Sequence, residues 1–216
     1  MLLNKILLII HIAAGFLALA SALVAITNKL LSLKHQWHVY SGRVYFASML
    51  TITVTAIPIA LLTNNRFLLL IAVFSGYLVH AGWRYATNRK GTPRLVDWCS
   101  VSGMIVAAAV MVSVGAVELL ADKQEGIILL VFGFIGWGNC ARDFLILKSG
   151  GATGNKRIAM HLTMMLAGTI ATVTAFVVTN FTLNPEFVLW LLPTVVITPM
   201  IVWWNRKLLG PRETSA

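Results

Sequence analysis

Long apolar runs separated by short polar joints make up most of this chain. A helix needs about 20 apolar residues to cross a hydrocarbon layer of about 30 Å. Seven runs meet that length, near residues 4–27, 40–63, 66–87, 98–120, 125–147, 157–181 and 186–205. The joints carry residues that end helices, such as Thr63-Asn64-Asn65, Gly91-Thr92-Pro93 and Asn184-Pro185. The pattern predicts an all-α, polytopic transmembrane bundle of about seven helices, forming one domain over residues 1–216.

Composition supports a membrane environment. Hydrophobic residues make up 58% of the chain and charged residues only 11%, whereas a soluble domain carries about a quarter charged residues. The lipid bilayer is therefore the first partner we expect. The formal net charge of +10 would favour a nucleic-acid partner in a soluble protein, but basic residues of membrane proteins collect in cytoplasmic loops. We expect no nucleic-acid partner.

The distribution of Lys and Arg predicts the direction of the helices. Three of the seventeen basic residues fall on one side of the predicted membrane, namely Lys5, Arg66 and Lys123. The others fall on the opposite side: Lys29, Lys34, Arg43, Arg84, Arg89, Lys90, Arg94, Arg142, Lys148, Lys156, Arg157, Arg206, Lys207 and Arg212. The positive-inside rule places this side in the cytoplasm. We therefore expect a multi-pass protein of the bacterial inner membrane with its N-terminus outside and its C-terminus in the cytoplasm.

A short internal echo predicts a repeat. The segment Thr53-Val54-Thr55-Ala56 in the second span recurs as Thr172-Val173-Thr174-Ala175 in the sixth. Spans four apart point in the same direction across the membrane. The echo therefore predicts a parallel repeat of three helices, a linker helix and three more.

Histidines at membrane depth are the richest set of functional candidates, because lipid penalises ionisable side chains. His11 lies about 12 Å from the outer end of the first span. His80 and His161 lie in the other half of the membrane, at depths that agree within about one helical turn. His38 precedes the second span on the same side, with His35 in the adjoining loop.

Glycines one helical turn from three of these histidines suggest a flat cofactor. The pairs are His11 with Gly15, His38 with Gly42, and Gly76 with His80, and residues four apart share a helix face. A b-type haem held by two histidines needs imidazoles from different helices at equal depth, which His80 and His161 supply. We predict one haem between them, with Arg84, Arg43 and His38 nearby and the arginines on its propionates. Alternatively, the glycines serve helix packing and the histidines bond to backbone or hydroxyl groups.

Zinc chemistry is a second reading of the same residues. His38, His80 and His161 would form a three-histidine site with one position open to water, as in a membrane hydrolase. Asp97 or Asp143 would orient a ligand. The sequence has no H-E-x-x-H spacing, so three separate helices would have to converge. An ion pair with a neighbouring arginine is the simplest role for Asp143.

A small-solute transporter is a third reading. The parallel repeat would place a site near mid-membrane, lined by His11 or Asn139, and helices broken at Pro58, Pro193 and Pro199 would allow movement. The partners left open are a small-molecule ligand or quinone, a second copy of the chain, and a larger membrane complex with this chain as a structural subunit. Whether the protein is an enzyme is also left open.

The first ninety residues resemble a family of bacterial membrane proteins known as domain of unknown function 2306. The segment from His38 through Gly42-Arg43-Val44-Tyr45 carries the likeness, together with a first helix starting His11-Ile12-Ala13-Ala14-Gly15 and a third helix around residues 76–83. The resemblance implies a multi-helix protein of the bacterial inner membrane but no reaction. It marks as family-type positions His11, His38, Gly42, Arg43 and His80.

Overall fold

Seven α-helices make up the described part of the chain. The computed structural model describes residues 2–210, so Arg212 lies outside the described residues, and no strand occurs within that range. Each helix is long and apolar enough to cross a membrane, which confirms the predicted all-α fold and its helix number. The helices are α1 (Leu2–Leu30), α2 (His35–Leu62), α3 (Arg66–Thr87), α4 (Leu95–Leu120), α5 (Glu125–Lys148), α6 (Gly154–Asn180) and α7 (Phe187–Leu209).

The start of α2 differs from the prediction. The apolar run indicated a start near residue 40, whereas the helix begins at His35 and places His38 in its first turn. This turn contains polar residues and lies before the apolar run, so the hydrophobic pattern does not include it. Proline does not break the helices either, because α2 is continuous through Pro58 and α7 through Pro193 and Pro199.

The helices are arranged in two groups on either side of α3. In the first group α1 packs on α2, α2 on α3, α3 on α6 and α6 on α1, which makes a four-helix bundle. Within the described residues, no Cα of α2 lies within 8 Å of one of α6, so these two helices face each other diagonally. In the second group α4 pairs with α5, and both contact α3. The last helix, α7, packs mainly on α6 and also touches α5.

Glycines allow the α4–α5 hairpin to pack closely. A Cβ atom on Gly126 would lie 2.5 Å from the backbone nitrogen of Leu119, and one on Gly115 would lie 3.0 Å from the carbonyl oxygen of Gly126. Small residues at such crossings let helix backbones approach each other in membranes. The two helices of the hairpin therefore lie in direct backbone contact.

The helix packing gives no support to the parallel repeat. A 3+1+3 repeat would pair α5 with α6 as α1 pairs with α2, but α5 packs on α4, and in the described chain no Cα of α5 lies within 8 Å of one of α6. The repeat stays a prediction, and so does the direction of the chain across the membrane. We call the end of the molecule that holds the α1–α2, α3–α4 and α5–α6 loops the basic end, because most Lys and Arg residues lie there.

Large apolar side chains cover the outer surface of the helices. Leu23, Val54, Val106, Phe134 and Val195 are each more than 60% exposed. A soluble protein rarely leaves such a continuous apolar surface in contact with water. The surface fits a bilayer, as the composition predicts.

Candidate functional site

Polar side chains near the basic end gather in two places, on opposite faces of α3. The first, which we call the histidine pair, consists of His38 on α2 and His161 on α6. The second, which we call the α3–α5 pocket, lies between α3, α4 and α5 and contains His80, Asp97 and Asp143. The two places have different chemistry.

The rings of the histidine pair are held in a defined orientation. Nδ1 of His38 lies 3.1 Å from the carbonyl oxygen of Ala25, and Nδ1 of His161 lies 3.0 Å from that of Gly82. A carbonyl oxygen only accepts hydrogen bonds, so in both rings Nδ1 carries the proton and donates it. A neutral imidazole held in this way has a lone pair on Nε2. A carbonyl on the other nitrogen is the usual support of a metal-binding histidine.

The rings of the pair lie at a distance at which two imidazoles can share one metal ion. With metal–nitrogen bonds of about 2.0 Å and about 1.1 Å from Nε2 to the ring centre, the two ring centres would lie about 6.2 Å apart. The ring centres of His38 and His161 are 6.5 Å apart, and their planes are inclined by 85°.

The surroundings of the pair leave room beside it. Both rings are half-buried, and Gly42, one turn after His38, has no atom within 4 Å of the position a Cβ would take. Since residues four apart share a helix face, this open side lies next to His38. Cofactor sites in helical bundles are built from facing helices, as α2 and α6 are here.

Further polar contacts continue through the core of the same four-helix bundle. Tyr45 and Thr169 approach to 3.5 Å between their hydroxyl oxygens, and the Thr172 hydroxyl donates to the Met49 sulfur at 3.1 Å. In the half farther from the basic end, His11 Nδ1 lies 3.0 Å from the Thr55 hydroxyl. Thr55 thus provides the predicted intramembrane His11 with a polar partner.

The structure does not bring His80 and His161 together. His161 rests on the carbonyl of Gly82, which agrees with the predicted similarity in depth. However, His80 and Gly82 are two positions apart, and such residues point about 200° apart around a helix. Gly82 faces Met164 and Met165 of α6, whereas His80 lines the pocket toward α4 and α5. His80 and His161 therefore lie at similar depths, but their side chains are on different faces of α3.

The three-histidine zinc site does not form either. Across residues 2–210, no group of three His, Cys, Asp or Glu side chains is close enough to hold a metal ion. Asp97 and Asp143 bond to other partners than the histidines. The physical reason is again the rotation of α3, which directs the side chain of His80 toward α4 and α5, away from His38 and His161.

Arg84 forms an ion pair with Asp97. Its Nε donates to Oδ1 at 2.5 Å and its Nη2 to Oδ2 at 2.8 Å, a bidentate pair in which both side chains are largely buried. Asp97 also accepts from the backbone nitrogen of Arg94 at 2.8 Å and so caps the start of α4. The predicted role of Arg84 as a propionate partner is therefore not supported, because its donors already serve Asp97 on the face away from the histidine pair.

Asp143 binds two tyrosines instead of the expected arginine. The carboxyl group is 3% exposed, and it accepts from the Tyr77 hydroxyl at 2.6 Å and from the Tyr85 hydroxyl at 2.9 Å. The sequence reasoning missed both tyrosines. A signal was present, because Tyr77, His80, Arg84 and Tyr85 follow the i, i+3, i+7, i+8 spacing of one helix face.

We expect Tyr77→Phe to lower stability by about 2 kcal/mol, because a hydrogen bond to a charged group contributes about 1.5–3 kcal/mol and its loss leaves a buried acceptor unpaired. Thermal unfolding of the purified protein in detergent measures the effect. Tyr40→Phe is the matched control, since Tyr40 is 66% exposed. Equal melting temperatures of the two variants would contradict the assigned bond.

The remaining predicted residues have local roles or lie open. The amide of Asn139 donates to the carbonyl of Ile135 at 3.0 Å and accepts from Arg142 at 3.0 Å, all within α5. Arg157 donates to the carbonyls of Tyr85 and Ala86 and so satisfies the end of α3. Arg43 is exposed on α2, next to Gly42.

Comparisons with known proteins leave the function to be argued from this geometry. No protein-family model, no curated protein and no solved structure matches the chain.

Proposed function

We propose that this is an integral membrane redox protein that carries one b-type haem between His38 and His161. The observation that supports the proposal is the histidine pair itself, with ring centres 6.5 Å apart and each Nδ1 bonded to a backbone carbonyl. His38 thus replaces His80 as the partner of His161. The number of haems, one, stays as the sequence predicts.

The residues present fit this group. Two imidazoles from facing helices would hold the iron, and the open side of Gly42 leaves space next to one of them. Arg43 is the exposed arginine of α2 beside this site, and an arginine can bind a propionate through two hydrogen bonds. When bound, the haem would supply one-electron transfer.

The chain's own groups tune and protect the site. The carbonyls of Ala25 and Gly82 fix the ring orientation and raise the basicity of the ligating nitrogens. Tyr45 and Met49, both buried, fill the bundle core deeper in the membrane and keep water from entering behind the rings. Since both histidines are half-buried near the basic end, a lipid-soluble partner such as a quinone would reach them from the bilayer.

We also propose that the basic end faces the cytoplasm of a bacterium and that the N-terminus lies outside. The excess of Lys and Arg at this end supports the direction. His38, Gly42 and Arg43 belong to the part of the chain that resembles family 2306, whereas His161 lies outside that part.

An absorption spectrum of the purified protein tests the proposal. Protein made in cells supplied with a haem precursor and purified in detergent should be red. Its reduced-minus-oxidised spectrum should show b-type bands, with about one haem per chain by pyridine haemochrome assay. A colourless preparation that takes up no stoichiometric haem on reconstitution would contradict the proposal.

A further inference from the structure

The α3–α5 pocket contains a small, partly open cavity, lined by both apolar and polar side chains, that the histidine pair does not use. Its volume is about 40 Å³. His80, Asp97, Asp143 and Ser100 contribute polar groups to its wall. Nε2 of His80 is fully buried and has no hydrogen-bond partner within the described part of the chain.

A buried polar atom without a partner indicates something bound beside it. Leaving such a group unpaired costs about 1–3 kcal/mol, and buried polar groups in native proteins are nearly always satisfied by protein or ordered water. A water molecule in such a cavity needs a volume of about 10–15 Å³ and two to four polar partners. The cavity therefore has room for about three waters and has the partners to hold them.

The charged groups around the cavity already have hydrogen-bond partners within the protein. Arg84 and Asp97 bond to each other through two hydrogen bonds. Both carboxylate oxygens of Asp143 accept from tyrosine hydroxyls. Among the titratable groups of the wall, His80 has the buried ring nitrogen, Nε2, that lacks a partner in the described chain. The ligand that fits this nitrogen is a proton carried by water.

Two loops close the cavity at the basic end. The carbonyl oxygen of Gly91 in the α3–α4 loop lies against Gly151 in the α5–α6 loop, and both glycines line the cavity. The cavity therefore lies beside the loops of the basic end and not in the apolar middle of the bundle. Protons can therefore reach His80 from that side without crossing the apolar half of the bundle.

We infer that the α3–α5 pocket is a hydrated proton-exchange site in which His80 is the group that gains and loses the proton. A hydronium ion in the cavity gives its proton to the Nε2 lone pair and leaves a neutral water; release reverses the step. The groups that face His80 across the cavity are Asp97 from α4, Asp143 from α5, and Tyr77, Arg84 and Tyr85 from α3 itself. The inference does not depend on the haem.

Infrared difference spectroscopy between acid and alkaline samples tests the inference on the full chain in lipid nanodiscs. We expect an imidazole band and a carboxylate band, together with water O–H bands that shift in H₂¹⁸O. His80→Gln should abolish the imidazole band assigned to this site and the shifted water bands. His11→Gln is the matched control and should retain both, because His11 lies in the other half of the bundle.

A second measurement covers the case in which His80→Gln does not fold. Wild-type protein labelled with ¹⁵N-histidine should show one ring whose Nε2 signal titrates together with a buried water contact. The inference is overturned if His80→Gln leaves the difference spectrum unchanged. It is also overturned if no water band responds to H₂¹⁸O, since the cavity would then be dry.

Discussion

Replacing His38 or His161 with glutamine should remove the haem that we propose, whereas replacing His80 with glutamine should leave it bound; this is the largest effect we expect. Loss of the groups that merely support a ligating histidine lowers metal affinity by about 10–100-fold. Loss of the ligand itself should therefore lower haem content by more than about tenfold. The measurement is haem per chain after purification, with protein quantified independently.

The His80→Gln variant serves as the matched control for this experiment. His80 lies at the same level as His161 but on the other face of α3, so its loss should not disturb the iron ligands. Haem lost from His80→Gln and retained in His38→Gln would restore the pairing predicted from depth alone. It would contradict the pairing proposed from the structure.

Gly151→Ala should strongly destabilise the protein. The Cβ of an alanine would lie only 1.8 Å from the carbonyl oxygen of Gly91, and the residue has φ of +100°, where side chains are strained. Forced overpacking costs about 1–3 kcal/mol or more. A loss of about 3 kcal/mol would lower the melting temperature by about 6–12 °C in a chain of this size.

Gly150→Ala separates the close contact from backbone strain. Gly150 has φ of +91°, but no atom lies within 4 Å of its Cβ position. This variant should lose only the roughly 1–2 kcal/mol of the left-handed conformation. If the two variants melt together, the crossing of the α3–α4 and α5–α6 loops does not close the pocket as described.

The seven helices could be predicted because lipid imposes a simple requirement on the chain. Every backbone group in hydrocarbon must be hydrogen-bonded internally, so each long apolar run becomes a helix. This requirement does not set helix ends outside the hydrocarbon. The first turn of α2, from His35 to His38, contains three polar residues and precedes the apolar run, so the hydrophobic pattern does not predict that it is helical.

The candidate site could be predicted only in part. Counting residues gives depth, and the agreement in depth of His80 and His161 is consistent with the His161–Gly82 contact. The number of residues does not show which face of α3 points toward α6. In the structure His80 is on the opposite face, and His161 lies near His38 instead. The tyrosines that bind Asp143 could not be predicted from charge, because a neutral hydroxyl can satisfy a buried carboxylate as a hydrogen-bond donor.

Electron paramagnetic resonance of the oxidised protein tests the central claim most directly. Two imidazoles with planes 85° apart should give a low-spin ferric signal of strong anisotropy, as near-perpendicular ring planes produce. His38→Gln should abolish that signal, and His80→Gln should retain it. A high-spin signal, a low-spin signal typical of parallel rings, or no haem signal in protein made with ample haem would contradict the claim.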